Sequence, residues 1–270
     1  MTISGLSIAM MAVAAVCAFA IPVILFIYYK KKGANIPPFF IGCAVFFIFA
    51  LVIESLFHQV ILMKLPVGQT IQNNIWLLAI YGGLMAGLFE ETGRFVTFKT
   101  VMKRYRDKDV NGLMYGAGHG GFEAAVVLGI TMIGNIYISI LANSGAASVL
   151  MSNVPAEYAA TLQSNIDAIA AIAPPMLLLG VVERIFAVTL HISLSVLVWF
   201  AVKKGKTILY PVAILVHALF DAATVLISKS GIANAEIITE IIIGIMSVGI
   251  AFVAYRIWNK EKEDEKEISG

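Results

Sequence analysis

Apolar residues in this chain come in long runs. They do not alternate with polar residues, as in a half-buried strand, or form the single stripe of a soluble helix. Seven runs approach or exceed the roughly 20 residues that a helix needs to cross a bilayer: Leu6–Tyr29, Pro37–Met63, Ile75–Phe98, Gly112–Leu141, Pro174–Val202, Thr207–Ser228 and Ala235–Trp258. The pattern predicts an all-α, polytopic membrane helix bundle of about seven transmembrane helices. It forms one integral membrane domain over residues 1–270, with a core at 75–228. No basic residue precedes the first run, so it reads as a retained helix rather than a cleaved leader.

The polar connections set an orientation. Lys30–Lys32 follow the first run and Lys99, Lys103, Arg104, Arg106 and Lys108 the third. Lys203, Lys204 and Lys206 follow the fifth, and Arg256, Lys260, Lys262 and Lys266 the seventh. The alternate connections carry only Lys64 and Lys229. By the positive-inside rule the N-terminus is outside and the C-terminus cytoplasmic, in the cell membrane. The long loop 142–173, without Lys or Arg, is then external. Within it Tyr158, Leu162, Ile166, Ile169 and Ile172 recur at helical spacing, which fits either a short interfacial helix or a partly ordered Ala/Ser loop. The tail 259–270 reads as a solvated, frayed helix end.

Composition agrees. Of 270 residues 60% are hydrophobic and 13% charged, half the charged share of a soluble domain. A net charge of +2 gives no reason to expect nucleic acid as a partner. Cys17 and Cys43 both lie in apolar runs, which implies neither a disulfide framework nor a cysteine metal site.

The exceptions to the apolar pattern carry the chemistry. All four histidines, His58, His119, His191 and His217, fall inside predicted spans. So do Glu54, Glu90, Glu91, Glu123, Glu183, Asp221, Arg94 and Arg184. Charges at such depth are expensive and face a bundle interior, where they pair or react. "ESLFH", "HGGFE" and "HALFD" each set a histidine and a carboxylate at i and i+4, on one helix face. Counted at 1.5 Å per residue from the basic ends, Glu90, His119, His191 and His217 lie roughly 12, 11, 17 and 15 Å deep. They form an inner layer with Glu91 and Arg94, and Glu123 and Asp221 lie about a turn further out. Glu54, His58, Glu183 and Arg184 form a second layer, expected to be structural, because buried charges need partners.

Adjacent carboxylates cannot both ionise cheaply in a low dielectric, and Arg94 would hold one of them charged. The other can act as a general base toward water. Nearby histidines could stabilise an oxyanion or hold Zn²⁺, which would activate the water instead. Either route gives an activated water inside the membrane, and peptide hydrolysis is its natural use. A proton- or ion-coupled transporter can draw on the same buried His/acid cluster, although seven spans without an evident internal repeat fit that class less well.

The motifs also carry a resemblance. "EETGR" resembles the paired-glutamate motif of the CAAX-protease and bacteriocin-processing superfamily, "YGAGH" its FxxxH motif, and "HALFD" its HxxxN/D motif. With "HGGFE" and "ERIFAVTLH" added, the set most resembles the YhfC family of intramembrane metalloproteases, and the PrsW type is similar in its double glutamate. The resemblance implies that Glu90 activates water with Glu91 assisting beside Arg94. It also implies that His119 and His217 hold water, oxyanion or metal, and that Asp221 completes the third motif. His191 and Glu123 have no counterpart in the CAAX-type pattern, where the arginine falls one residue later and a phenylalanine stands at Tyr115. The implied metal set is His119, His191 and His217, and a metal-free glutamate mechanism stays open beside it. The implied partner is a membrane-embedded or membrane-associated peptide or protein substrate, together with the lipid bilayer.

Overall fold

A computed structural model describes residues 2–262. Its regular structure is helical throughout the described residues. Six helices are long and apolar enough to cross a membrane: α1 (Gly5–Lys31), α2 (Pro37–Lys64), α4 (Val110–Asn143), α6 (Pro174–Lys203), α7 (Leu209–Ser228) and α8 (Ala235–Glu261). A seventh, α3 (Ile75–Lys99), is equally long but falls short in apolarity because it carries Glu90, Glu91 and Arg94. The expected spans are found to within a few residues. The tail from residue 263 lies outside the described residues.

The loop after α4 holds a short helix, Ala146–Ser152, and then α5 (Ala156–Ala171). The periodic apolar positions do form a helix, and it is packed rather than free. Ile166 and Ile169 are buried in one cluster with Ile3, Met11 and Leu177, so α5 closes the end of the bundle over α1, α4 and α6.

The centre is α6. Of its most apolar stretch 72% is buried, against 22–28% in the other five apolar spans. It packs on α4 and α8, while α3 pairs most extensively with α7, and the first half of α2 with α4. Neither α2 nor α4 is regular: α2 widens into π-helical turns at Phe47–Glu54 and Gln59–Lys64, and α4 does so at Ala125–Ile130. Such turns often mark functional positions.

The basic connections meet at one end. Lys108 donates to the Gly33 carbonyl at 3.2 Å, Asn111 accepts from the Asn35 amide at 2.8 Å, and Lys203 pairs with Asp109 at 2.8 Å. Lys206 pairs with Glu261. This basic end is filled by Phe98, Met102, Tyr115, Trp199 and Phe200, which form one core cluster.

Candidate functional site

Close helix packing builds the site. Asn74 caps α3, accepting from the Trp76 and Leu77 amides. Two turns before the glutamates, Gly83 rests on the Ala218 carbonyl of α7. At Gly87 a side chain would meet the Ile214 carbonyl at 2.6 Å, so α7 can lie directly on α3 only because that position is bare. The approach brings His217 Nδ1 to 2.9 Å from Glu91 Oε1. On α4, Gly120 sits against His191, where an added Cβ would lie 3.0 Å from the His191 Cβ. That lets the His119 and His191 rings stand 4.8 Å apart, with His217 5.2 Å beyond.

Four helices therefore converge. His119 Nε2 lies 2.8 Å from Glu90 Oε2, and His191 Nδ1 lies 3.9 Å from the same oxygen. Arg94 is fully buried, pairs through one nitrogen with Glu91, and donates through the other to His191 Nδ1 at 3.2 Å. An arginine can only donate, so Nδ1 of His191 accepts. In a neutral imidazole the proton is then on Nε2, which faces Glu123 Oε2 at 2.5 Å. That approach is out of hydrogen-bond alignment, and the oxygen is left without a hydrogen-bond donor. His217 Nε2 lies 3.5 Å from Asp221 Oδ2.

The structure brings Glu90, Glu91, Arg94, His119, His191 and His217 together. Asp221 stands at the rim, its side chain 34% exposed. Glu123 is placed differently from the expectation. The His119/Glu123 pair of "HGGFE" does not form, because His119 turns to Glu90 on α3, while Glu123 turns to His191 and to Arg184 Nη1 at 2.6 Å. The other two i, i+4 pairs do form: Glu54 with His58 at 3.1 Å, and His217 with Asp221.

The second layer also divides. Arg184 binds Glu183 at 2.5 Å, as expected, but Glu54 is no partner of that pair. It is buried beside His58, which is anchored by the Tyr81 hydroxyl at 2.9 Å, and its electrostatic neighbours are Glu90, His217 and Asp221. The π-helical segment Phe47–Glu54 leads up to Glu54, and its shorter rise leaves the residue less deep than α-helical counting gives. Tyr115, noted in the sequence only as a motif aromatic, is a fully buried side chain whose hydroxyl has no hydrogen-bond partner. Its i−4 spacing to His119 was the available signal.

The family model described as the YhfC intramembrane metalloprotease matches residues 17–243, which include every one of these groups. The chain belongs to the YhfC family. The uncharacterized membrane protein YhfC of Bacillus subtilis (strain 168) is 34% identical over 250 residues, 91% of this chain and 94% of that relative. No solved structure matches.

The family description implies a metal, and the donor set here fits one. Glu90, His119 and His191 offer buried ligand atoms within 4.8 Å of one another, and Glu91, His191 and His217 do the same. Three nitrogen and carboxylate donors leaving a position open is the catalytic zinc pattern. Glu123 stands beside His191 Nε2, where an outer carboxylate would orient a metal-bound imidazole, although the two are not aligned as a hydrogen bond. Arg94 already donates to His191 Nδ1, so an ion held on that nitrogen would require the guanidinium to give up that bond while keeping Glu91.

Proposed function

We propose that this YhfC-family protein is an intramembrane endopeptidase that hydrolyses a peptide bond with water activated at Glu90. The observation that supports this reading is the pairing of two adjacent carboxylates with opposite surroundings. Glu91 is locked between Arg94 and His217 with no exposure, while Glu90 meets His119 and, more distantly, His191, without a cation paired to it among the described residues, and keeps a narrow opening. Glu91 is thus a fixed charge, and Glu90 is the carboxylate with freedom to take a proton.

In this reading His119 orients Glu90 through Nε2, and Glu90 accepts a proton from water as it attacks the scissile carbonyl. His217, protonated on both ring nitrogens between Glu91 and Asp221, donates Nδ1–H to Glu91 and turns Nε2–H toward the reacting atoms beside Asp221, where the oxyanion develops. The proton held on Glu90 passes to the leaving amine. Arg94 and Glu123 hold His191 from its two sides. Where a zinc ion is bound, Glu90, His119 and His191 would hold it, and it would supply Lewis-acid activation of the water.

The test is cleavage of membrane-protein substrates by purified, reconstituted protein, with metal analysis alongside. Glu90→Ala, His119→Ala and His217→Ala should each abolish cleavage while insertion and folding persist. Glu91→Ala and Asp221→Ala should be severe but leaky. Loss of bound zinc in a double histidine variant, together with chelator inhibition of the wild type, selects the metal route; indifference to chelators selects Glu90 alone. Wild-type cleavage by both Glu90→Ala and His217→Ala proteins would end the reading. Ion-dependent flux in vesicles without proteolysis would establish a carrier instead.

A further inference from the structure

The two ends of the bundle offer very different ways in to the site. Toward the basic end it is shut. Phe98, Met102, Tyr115, Leu197 and Phe200 have no exposure and Trp199 has 1%, with its indole N–H bonded to Asp109 at 2.8 Å. Every residue of α6 from Ser193 to Ala201 is buried.

Toward the opposite end the walls part. Residues 55–64 of α2 pack on the Val67–Gln72 helix and, among the described residues, make no substantial contact with α4, α6 or α7. On this side His58 is 33% and Asp221 34% exposed in their side chains, and buried Glu54 lies between them as an electrostatic neighbour of Asp221 and Glu90. A carboxylate such as Asp221 turned to lipid at membrane depth would cost several kcal/mol. That face of α7 is therefore expected to border water rather than acyl chains.

We infer that the scissile segment reaches the site from the end opposite the basic loops, through a water-filled crevice between the far half of α2 and the far half of α7. This rests on the endopeptidase reading for its substrate but not for its geometry. If the positive charges face the cytoplasm, the substrate class is membrane-protein segments that leave the bilayer on the external side, and a segment presented only from the cytoplasm is excluded.

His217, Asp221, Thr224 and Ser228 form one stripe along α7, from the site to the exposed helix end. Maleimides react only with hydrated thiols, so the stripe can be read residue by residue in intact cells carrying the full chain with Cys17→Ala. A membrane-impermeant maleimide should label Thr224→Cys from the same side as Ser228→Cys, at a rate within about tenfold of it. Native Cys43, packed on the Gly118 carbonyl at the closed half, should react at least about 100-fold more slowly from either side. Val225→Cys serves as the second position if Thr224→Cys fails to accumulate. Silence at both 224 and 225 while Ser228→Cys reacts, or prompt labelling of Cys43 from the basic side, overturns the inference. The labelling needs no cleavage, so an inactive protein would count against the endopeptidase reading alone. Where the unlabelled protein cleaves, the adduct at residue 224 should block cleavage, and full activity of the labelled protein would also overturn the route.

Discussion

Two arginines inside this bundle do the same job in different surroundings. Arg94 joins Glu91 of its own helix to His191 of α6; Arg184 joins Glu183 of its own helix to Glu123 of α4. Arg94 and Glu91 have no exposure at all, whereas the Arg184 and Glu183 side chains are 11% and 35% exposed. One imidazole connects the two clusters, since His191 receives Arg94 on Nδ1 and faces Glu123 with Nε2. The dry cluster fixes a charge beside the candidate site, and the wetted one braces it from the rim. An ion pair's contribution depends on what replaces it when it is broken: water can reach the second cluster and cannot reach the first.

That contrast can be broken in order of expected size. Arg94→Ala leaves the Glu91 carboxylate buried without its cation and should cost about 3–5 kcal/mol of stability, read from unfolding in detergent. A loss under about 1 kcal/mol would mean that the pair is not held charged. Arg184→Gln should cost less, about 1–3 kcal/mol, because water can partly solvate Glu123 and Glu183. Combining Arg94→Ala with Arg184→Gln tests the bridge. The two should fail to add by about 0.5 kcal/mol or more, and the coupling should vanish when His191→Ala is the background. Additivity in both backgrounds would show two independent clusters. Glu183→Gln, at a half-hydrated pair, should change stability by under about 1 kcal/mol, and a larger loss would make the rim as dry as the core.

Much of the site was legible before the fold. Glu90, His119, His191 and His217 are chemically conspicuous in apolar runs, and a constant rise per residue puts all four at similar depth. They do meet in the structure. Partner choice was not legible. Spacing at i, i+4 paired His119 with Glu123, but it shows only that two groups share a face and says nothing of what a neighbouring helix offers. Glu90 of α3 supplied the partner for His119, and Glu123 went to α6. Glu54 was placed a layer away from Glu90 for a different reason. Depth counting assumes α-helical rise, and the Phe47–Glu54 stretch of α2 that leads to it is π-helical.

By itself the sequence determined that the chain is a membrane helix bundle, where its long helices begin and end, and which polar groups lie buried in it. Those follow from the cost of placing each residue type in hydrocarbon, a property of the residue and its neighbours along the chain. The closed and open ends, the bridge through His191 and the contrast between Glu90 and Glu91 were decided only by tertiary structure. They depend on how closely α7 settles on α3 over Gly87, and α4 on α6 over Gly120. Such approaches are set by backbone shape and side-chain volume across helices, which no one-dimensional pattern records.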